Sequence, residues 1–196
     1  MKILLTLFVL LFSSSVIADD VSDFQIEGFS IGDSLLDYFS KKEIFSSKED
    51  ISFRSNKFYA IGICKNCQID NYSLDVYDAL QIYLKLNDEK YIIHSIVGGI
   101  YFDNNINNCL KQRNLIIDEL KTFFTGATLD FEGKYDHQED KSGKSTVHSK
   151  RYKLASEGYV TIACYDWSKK MQPYRDHLRV QLNSNEIWNW IINEAY

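Results

Sequence analysis

A chain of 196 residues with one proline, nine glycines and 45% hydrophobic residues has the composition of a single folded domain, which excludes collagen-like sequence and long disordered linkers. Its formal charge of −5 gives no generic attraction to nucleic acid or to anionic lipid. The four cysteines, Cys64, Cys67, Cys109 and Cys164, point to an oxidising compartment and to disulfides rather than free thiols.

The N-terminus supports that compartment. Met1 to Ala18 carries one cation (Lys2), an apolar run from Ile3 to Phe12 and a small-residue end at Val16 and Ala18, the pattern of a secretory signal peptide cut before Asp19. A run of about ten apolar residues is too short for a bilayer span, which needs roughly 20. Residues 19–196 are then read as one domain of two half-repeats, about 19–102 and 103–196, in the periplasm or secreted.

Gly28 to Phe39 reads as a turn and a short helix capped by Asp33 or Ser34, with Lys41, Lys42 and Glu43 as its solvated end. Phe58 to Cys64 is strand-like, and Lys65-Asn66-Cys67 is a turn. Leu74 to Leu86 alternates with period two and predicts a strand, followed by a hairpin turn at 87–90 and a return strand from Tyr91 to Phe102. Gly98-Gly99 within it predicts a bulge or a close backbone approach.

The Asn cluster at 104–108 caps a helix predicted from about Asn107 to Phe124, with Cys109 facing inward in its first turn. Leu129 to Phe131 reads as a short strand and Lys134 to Lys144 as a polar loop. Thr146 to Ala155 pairs with Tyr159 to Trp167 through a Glu157-Gly158 turn. In the second of these, Val160, Ile162 and Cys164 share one face, while Tyr159, Thr161, Ala163, Tyr165 and Trp167 share the other. From His177 to Leu182, Leu178, Val180 and Leu182 oppose His177, Arg179 and Gln181. Asn183-Ser184-Asn185 caps a last helix carrying Ile187, Trp188 and Trp190.

Four cysteines allow three pairings. Proximity makes Cys64 with Cys67 one candidate and leaves Cys109 with Cys164, a long loop worth about 4 kcal/mol in the chain-entropy model against about 2 for the short one. The expected fold is α+β: a mostly antiparallel sheet of about six strands with three helices on one face, in two α-β-β-β halves.

The opening Ile31-Gly32-Asp33-Ser34-Leu35, leading into a short helix and antiparallel strands, resembles that of small periplasmic modules, namely BamE-like assembly lipoproteins and β-lactamase-inhibitor-like folds. The whole chain is similar to uncharacterised secreted proteins of AT-rich alphaproteobacteria. The resemblance implies a helix-and-sheet binding module and carries over no catalytic residue. Asp19 stands where a lipoprotein needs its lipid-bearing Cys.

Several residue groups carry candidate chemistry. Cys64-Lys65-Asn66-Cys67 has the spacing of a thiol–disulfide oxidoreductase, but Gln68 to Tyr72 lacks the apolar stripe of the helix that would lower a thiol pKa. His137, Asp140 and His148, with Asp136 and Glu139, have the ligand types of a metal site without a known spacing. Ser145, Asp166 and His177 supply the types of a hydrolase triad without a Gly-x-Ser-x-Gly elbow. Ser142-Gly143-Lys144-Ser145 matches the end of a phosphate-binding loop, but Gln138 stands where that loop needs Gly.

Tyr77, Tyr83, Tyr159, Tyr165 and Trp167 fall opposite the aliphatic faces and form a candidate binding surface. The expectation is a binding module without catalysis or cofactor, its partner a protein or small molecule of the cell envelope. The alternative is an envelope enzyme, either an oxidoreductase through Cys64 and Cys67 or a hydrolase.

Overall fold

The computed structural model describes residues 20–64, 72–103, 105–121 and 126–196, so the expected signal peptide at 1–18 and Cys67 lie outside the described residues. The chain opens with a hairpin of β1 (Gln25–Ile26) and β2 (Phe29–Ser30), then a 3-10 turn at Leu35–Asp37 and α1 (Lys41–Ser46). Next come β3 (Phe58–Cys64), β4 (Ala79–Lys85), β5 (Ile93–Tyr101) and α2 (Ile106–Leu120). The second part runs β6 (Thr128–Asp136), β7 (Thr146–Lys153), β8 (Tyr159–Asp166), β9 (His177–Asn183) and α3 (Asn185–Asn193).

β3 to β9 form one seven-stranded sheet in the order β3-β4-β5-β9-β8-β7-β6, with every neighbouring pair antiparallel. Two meanders, β3-β4-β5 and β6-β7-β8-β9, meet along β5 and β9. The second contributes four strands rather than three, because β6 continues to Asp136 through residues read as polar loop. Almost every residue of β6 is exposed, so this edge strand is held by its pairing with β7; its sequence does alternate, with Leu129, Phe131, Gly133 and Tyr135 against Asp130, Glu132, Lys134 and Asp136, but its charges give it the composition of a loop.

In-register neighbours share a face, so the pairing assigns each side of the sheet. On the core face one row crosses five strands: Ile61, Ile82, Ile96, Leu182 and Val160, each at most 2% exposed. Burying a side chain of this size contributes about 1.5–3 kcal/mol. The N-terminal hairpin, Leu35, Phe39 and Ile44 of α1 complete this core, so Lys41 to Glu43 are not the end of an earlier helix. They open α1, whose capping box has Ser40 accepting from the Glu43 N–H while the Glu43 carboxylate accepts from that of Ser40.

α2 packs on the core face against β8 and β9 with Cys109, Ile116, Ile117 and Leu120 inward; Asn105 is its N-cap. Cys109 is joined to Cys164 of β8, with Cα atoms 5.9 Å apart and a sequence separation of 55. α3 lies on the opposite face. Ile187 and Trp190 pack there on Phe58, Phe53 and Tyr83, so the three helices do not share one face. An apolar stripe shows which side of a helix is buried but not which side of a sheet receives it, and Phe58 and Tyr83 make the far face apolar at this end.

β4 starts at Ala79, five residues later than the alternation suggests. Leu74 and Tyr77 are buried from a loop, where the Glu27 carboxylate accepts from the backbone N–H of Asp75, Val76 and Tyr77 at 2.7–2.8 Å. Tyr77 is therefore not on the aromatic face: its ring is 3% exposed and lies over Gly98 on the core side. A Cβ on Gly98 would sit 2.5 Å from that ring, which is the close approach expected of the Gly pair. The register shifts of this sheet lie elsewhere, between β4 and β5 at Tyr83 and Leu84 and between β6 and β7 at Leu129 and Phe131.

Two stability changes are expected. Replacing both Cys109 and Cys164 by Ala lowers stability by roughly 2–5 kcal/mol, read by urea unfolding against the oxidised parent. Gly98→Ala costs about 1–3 kcal/mol through the buried Tyr77 ring, and combining it with Tyr77→Leu shows favourable coupling in a double-mutant cycle.

Candidate functional site

The face opposite the core is covered by α3 at one end only. At the other end one row of in-register residues crosses all seven strands: Cys64, Ala79, Gly99, Arg179, Ala163, Ser149 and Gly133. Six are small and the centre is an arginine. The small side chains leave a trough, and on the β3 side of Arg179 it opens as a groove of about 720 Å³.

The walls come from two connections. On the β3 side, Ser46 to Glu49 run along the sheet edge: Glu49 N–H donates to Ala60 O and Gly62 N–H to Ser47 O, both at 2.9 Å. Glu49 then reaches over Gly62 to accept from Gln81 Nε2 at 2.6 Å, and burial pushes its carboxyl above the ordinary Glu value. On the other side stand Trp167, Tyr174 and Arg175 from the β8–β9 connection.

This second wall is fixed by two carboxylates. Asp140 accepts from the N–H and Oγ of Ser142, the N–H and Oγ of Ser145, and Ser168 Oγ, at 2.6–3.0 Å. Those bonds hold its carboxyl far below the ordinary Asp range. Asp176 accepts from Trp167 N–H at 2.8 Å, and Phe102 N–H donates to Asp176 O at 2.9 Å. Trp167 is thus anchored from both sides in sequence.

The rings on this wall touch in series. Trp167 and Tyr174 stack with centroids 4.6 Å apart, and His137 lies 4.2 Å from Trp167 on a tilted approach. His177 stacks on Tyr165 at 4.5 Å with planes 6° apart, and the Arg179 guanidinium lies 4.7 Å from the Tyr165 centroid. Arg175 packs 4.4 Å from the Tyr101 ring and pairs with Asp103.

His177 Nδ1 sits 2.8 Å from Arg175 O. A carbonyl only accepts, so Nδ1 carries the proton and Nε2 keeps a lone pair. Burial first, with the nearby Arg179 and His137 charges adding to it, pushes the imidazole down to about 4, although its bond to Arg175 O acts the other way. The ring is neutral at physiological pH.

Of the candidate aromatics, Tyr165 and Trp167 belong to this wall. Tyr83 lies under α3 beside Phe53, Tyr159 meets Trp188 on a tilted approach at 4.7 Å, and Tyr77 is in the core. The candidate metal ligands are dispersed: Asp140 is committed to its serines, His137 lies against Trp167, and His148 is on the core face opposite Cys164. Among the described residues no three His, Cys, Asp or Glu side chains gather for a metal.

The triad candidates are likewise apart in function. Ser145 Oγ donates to Asp140 and accepts from Ser168 N–H, and His177 Nδ1 is bound to Arg175 O. Cys64, at the end of β3 on the groove floor, is disulfide-bonded, and Cys67 lies outside the described residues. Sequence reasoning missed Glu49, Gly62, Gln81, Tyr101, Tyr174 and Arg175, and placed Arg179 on the right face without a role. Cys64, Ala79 and Gly99 form a signal only once the register aligns them. No family model, curated protein or solved structure matches the chain.

The sign of the His177 shift fixes a pH dependence. With a folded value of about 4 against an ordinary 6.5, the unfolded chain binds more protons between those limits, so stability rises with pH across that window and is lost as pH falls through it. His177→Phe, which keeps the ring stack, removes about 3 kcal/mol of that dependence, measured as the difference between parent and variant urea stabilities at pH 4 and pH 7.

Proposed function

We propose that this protein is a soluble binding module of the periplasm or the secreted fraction, and that the groove on its aromatic face is where it binds a small molecule or a short segment of a larger one. The observation that carries this reading is the trough of small residues. It leaves one end of an otherwise well-packed sheet uncovered, between walls of rings and hydrogen-bonding groups. A preformed concavity of several hundred Å³, mostly apolar with a few convergent polar groups, is the usual form of a ligand site.

The location rests on the buried Cys109–Cys164 disulfide and on the N-terminal leader pattern. Among the described residues no helix is long and apolar enough to cross a membrane. The layout resemblance to BamE-like and β-lactamase-inhibitor-like modules favours binding in the same direction.

An envelope enzyme is the second reading, since the groove holds a carboxylate at Glu49 and an imidazole at His177. Acid–base or nucleophilic catalysis needs a reactive pair within hydrogen-bond reach. Here Glu49 is bonded to Gln81, and His177 uses Nδ1 on a backbone carbonyl.

Gly99→Leu tests the groove. Gly99 has open space above it, with only Ala79 O within 4 Å of a built Cβ, so the variant keeps its fold and fills the floor. In thermal-shift assays against a panel of saccharides, organic acids and short peptides, stabilisation of the parent that disappears in Gly99→Leu supports the site. Equal stabilisation of both proteins overturns it, and chemical turnover of a bound compound selects the enzyme reading.

A further inference from the structure

Resting on the groove as the binding site, we infer that its ligand is a ring-borne carboxylate with hydroxyl donors at its far end, a sugar acid or hydroxyaryl acid, whose carboxylate docks on Arg179. The chain has five arginines. Arg54 donates to Tyr196 O, Arg113 to His148 O and Asn114, Arg151 to Asp130, and Arg175 to Asp103. Among the described residues Arg179 has no such acceptor: its neighbour is the Tyr165 ring, and its row-mates Gly99 and Ala163 offer no side-chain oxygen.

A guanidinium presents five N–H donors in a planar fork that matches a carboxylate in two parallel bonds. Held at the centre of the sheet and flanked by the smallest side chains, this fork is reachable from the groove. The imidazole beside it brings no second charge, because His177 is neutral and offers an acceptor at Nε2.

The rest of the groove selects what the carboxylate is attached to. Cys64, Ala79 and Gly99 make a floor of small side chains, fit for a flat ring, Glu49 lies over Gly62 at its edge, and the Tyr101 and Tyr174 rings stand at the rim. At the opposite wall Glu49 and the Gln81 carbonyl oxygen are acceptors, so hydroxyl groups on the far edge of the ring find partners there. A second anionic group at that end would meet Glu49. This disfavours dicarboxylates and terminal phosphates and places the single negative charge at the Arg179 end.

The test uses matched pairs titrated into the full-length mature protein by calorimetry: glucuronate against glucose, and 4-hydroxybenzoate against 4-hydroxybenzamide. The expected result is saturable binding of an acid with its neutral counterpart at least about tenfold weaker. In Arg179→Gln that preference is lost while Arg179→Lys retains part of it, as expected for a charge-assisted bidentate pair. Among the described residues Arg179 holds no acceptor, so circular dichroism and urea midpoints of both variants stay near the parent's.

Equal binding of acid and neutral probes, still abolished by Gly99→Leu, overturns the carboxylate assignment and leaves the groove standing as the site. Acid binding that persists unchanged in Arg179→Gln overturns the role of Arg179. Absence of binding by all four probes overturns the ligand class, and the wider panel against Gly99→Leu then decides whether the groove reading fails with it.

Discussion

The pairing of β5 with β9 is the constraint on which the rest of this structure depends. Seven residue pairs, from Ser95 with Asn183 to Tyr101 with His177, are the strand contact that makes two meanders into one sheet. Each meander then sends its following helix across the seam. α2 leaves β5 and packs on β8 and β9 on the core face, while α3 leaves β9 and covers Phe58 and Tyr83 of the first meander on the other face. The Cys109–Cys164 bridge fastens the first crossover, since Cys164 lies in register with Leu178 of β9. Opening the seam would expose apolar surface on both faces at once, so neither half is expected to hold its helix alone.

The seam also sets the chemistry of the site. Register places Gly99 of β5 beside Arg179 of β9, and Tyr101 beside His177. A slip by one residue would turn Arg179 into the aliphatic core and bring Val180 to the groove. The core row therefore enforces the position of the guanidinium: Ile96 and Leu182 can meet only in the register that also sets Arg179 among Gly99, Ala163 and Ala79. The energy that specifies the site is hydrophobic and acts from the opposite side of the sheet.

How much of this was legible depends on whether a signal is local. Alternation in β8 and β9 correctly separates Val160, Ile162 and Cys164 from Tyr165, and Leu178, Val180 and Leu182 from His177 and Arg179. The long disulfide also follows from arithmetic on the cysteines together with the inward turn of Cys109. Three features were not local. Tyr77 extends a period-two pattern by sequence, but its place is set by the Glu27 carboxylate 50 residues earlier in the chain. β6 alternates from Leu129 to Tyr135, but it has no buried face and its place in the sheet rests on its pairing with β7. The trough needs seven strands aligned before its small residues become neighbours, and no window of sequence contains more than one of them per strand.

What makes the groove a credible site is the cost already met in forming its walls. Loops that order on binding lose conformational entropy at that moment, on the order of 1 kcal/mol for each side chain immobilised. Here Asp140 and Asp176 hold the backbone around Trp167, Ser145 and Ser168 link the β6–β7 and β8–β9 connections, and the Glu49 segment is bonded along β3. These bonds fix the backbone that carries the rings in the unliganded chain, while the Arg175 carbonyl orients His177, so that hydrogen bonds made to a ligand are offset less by ordering. Arg179 points the same way: among the described residues its donors have no acceptor while every other arginine has one, and an incoming carboxylate is the group best matched to use them.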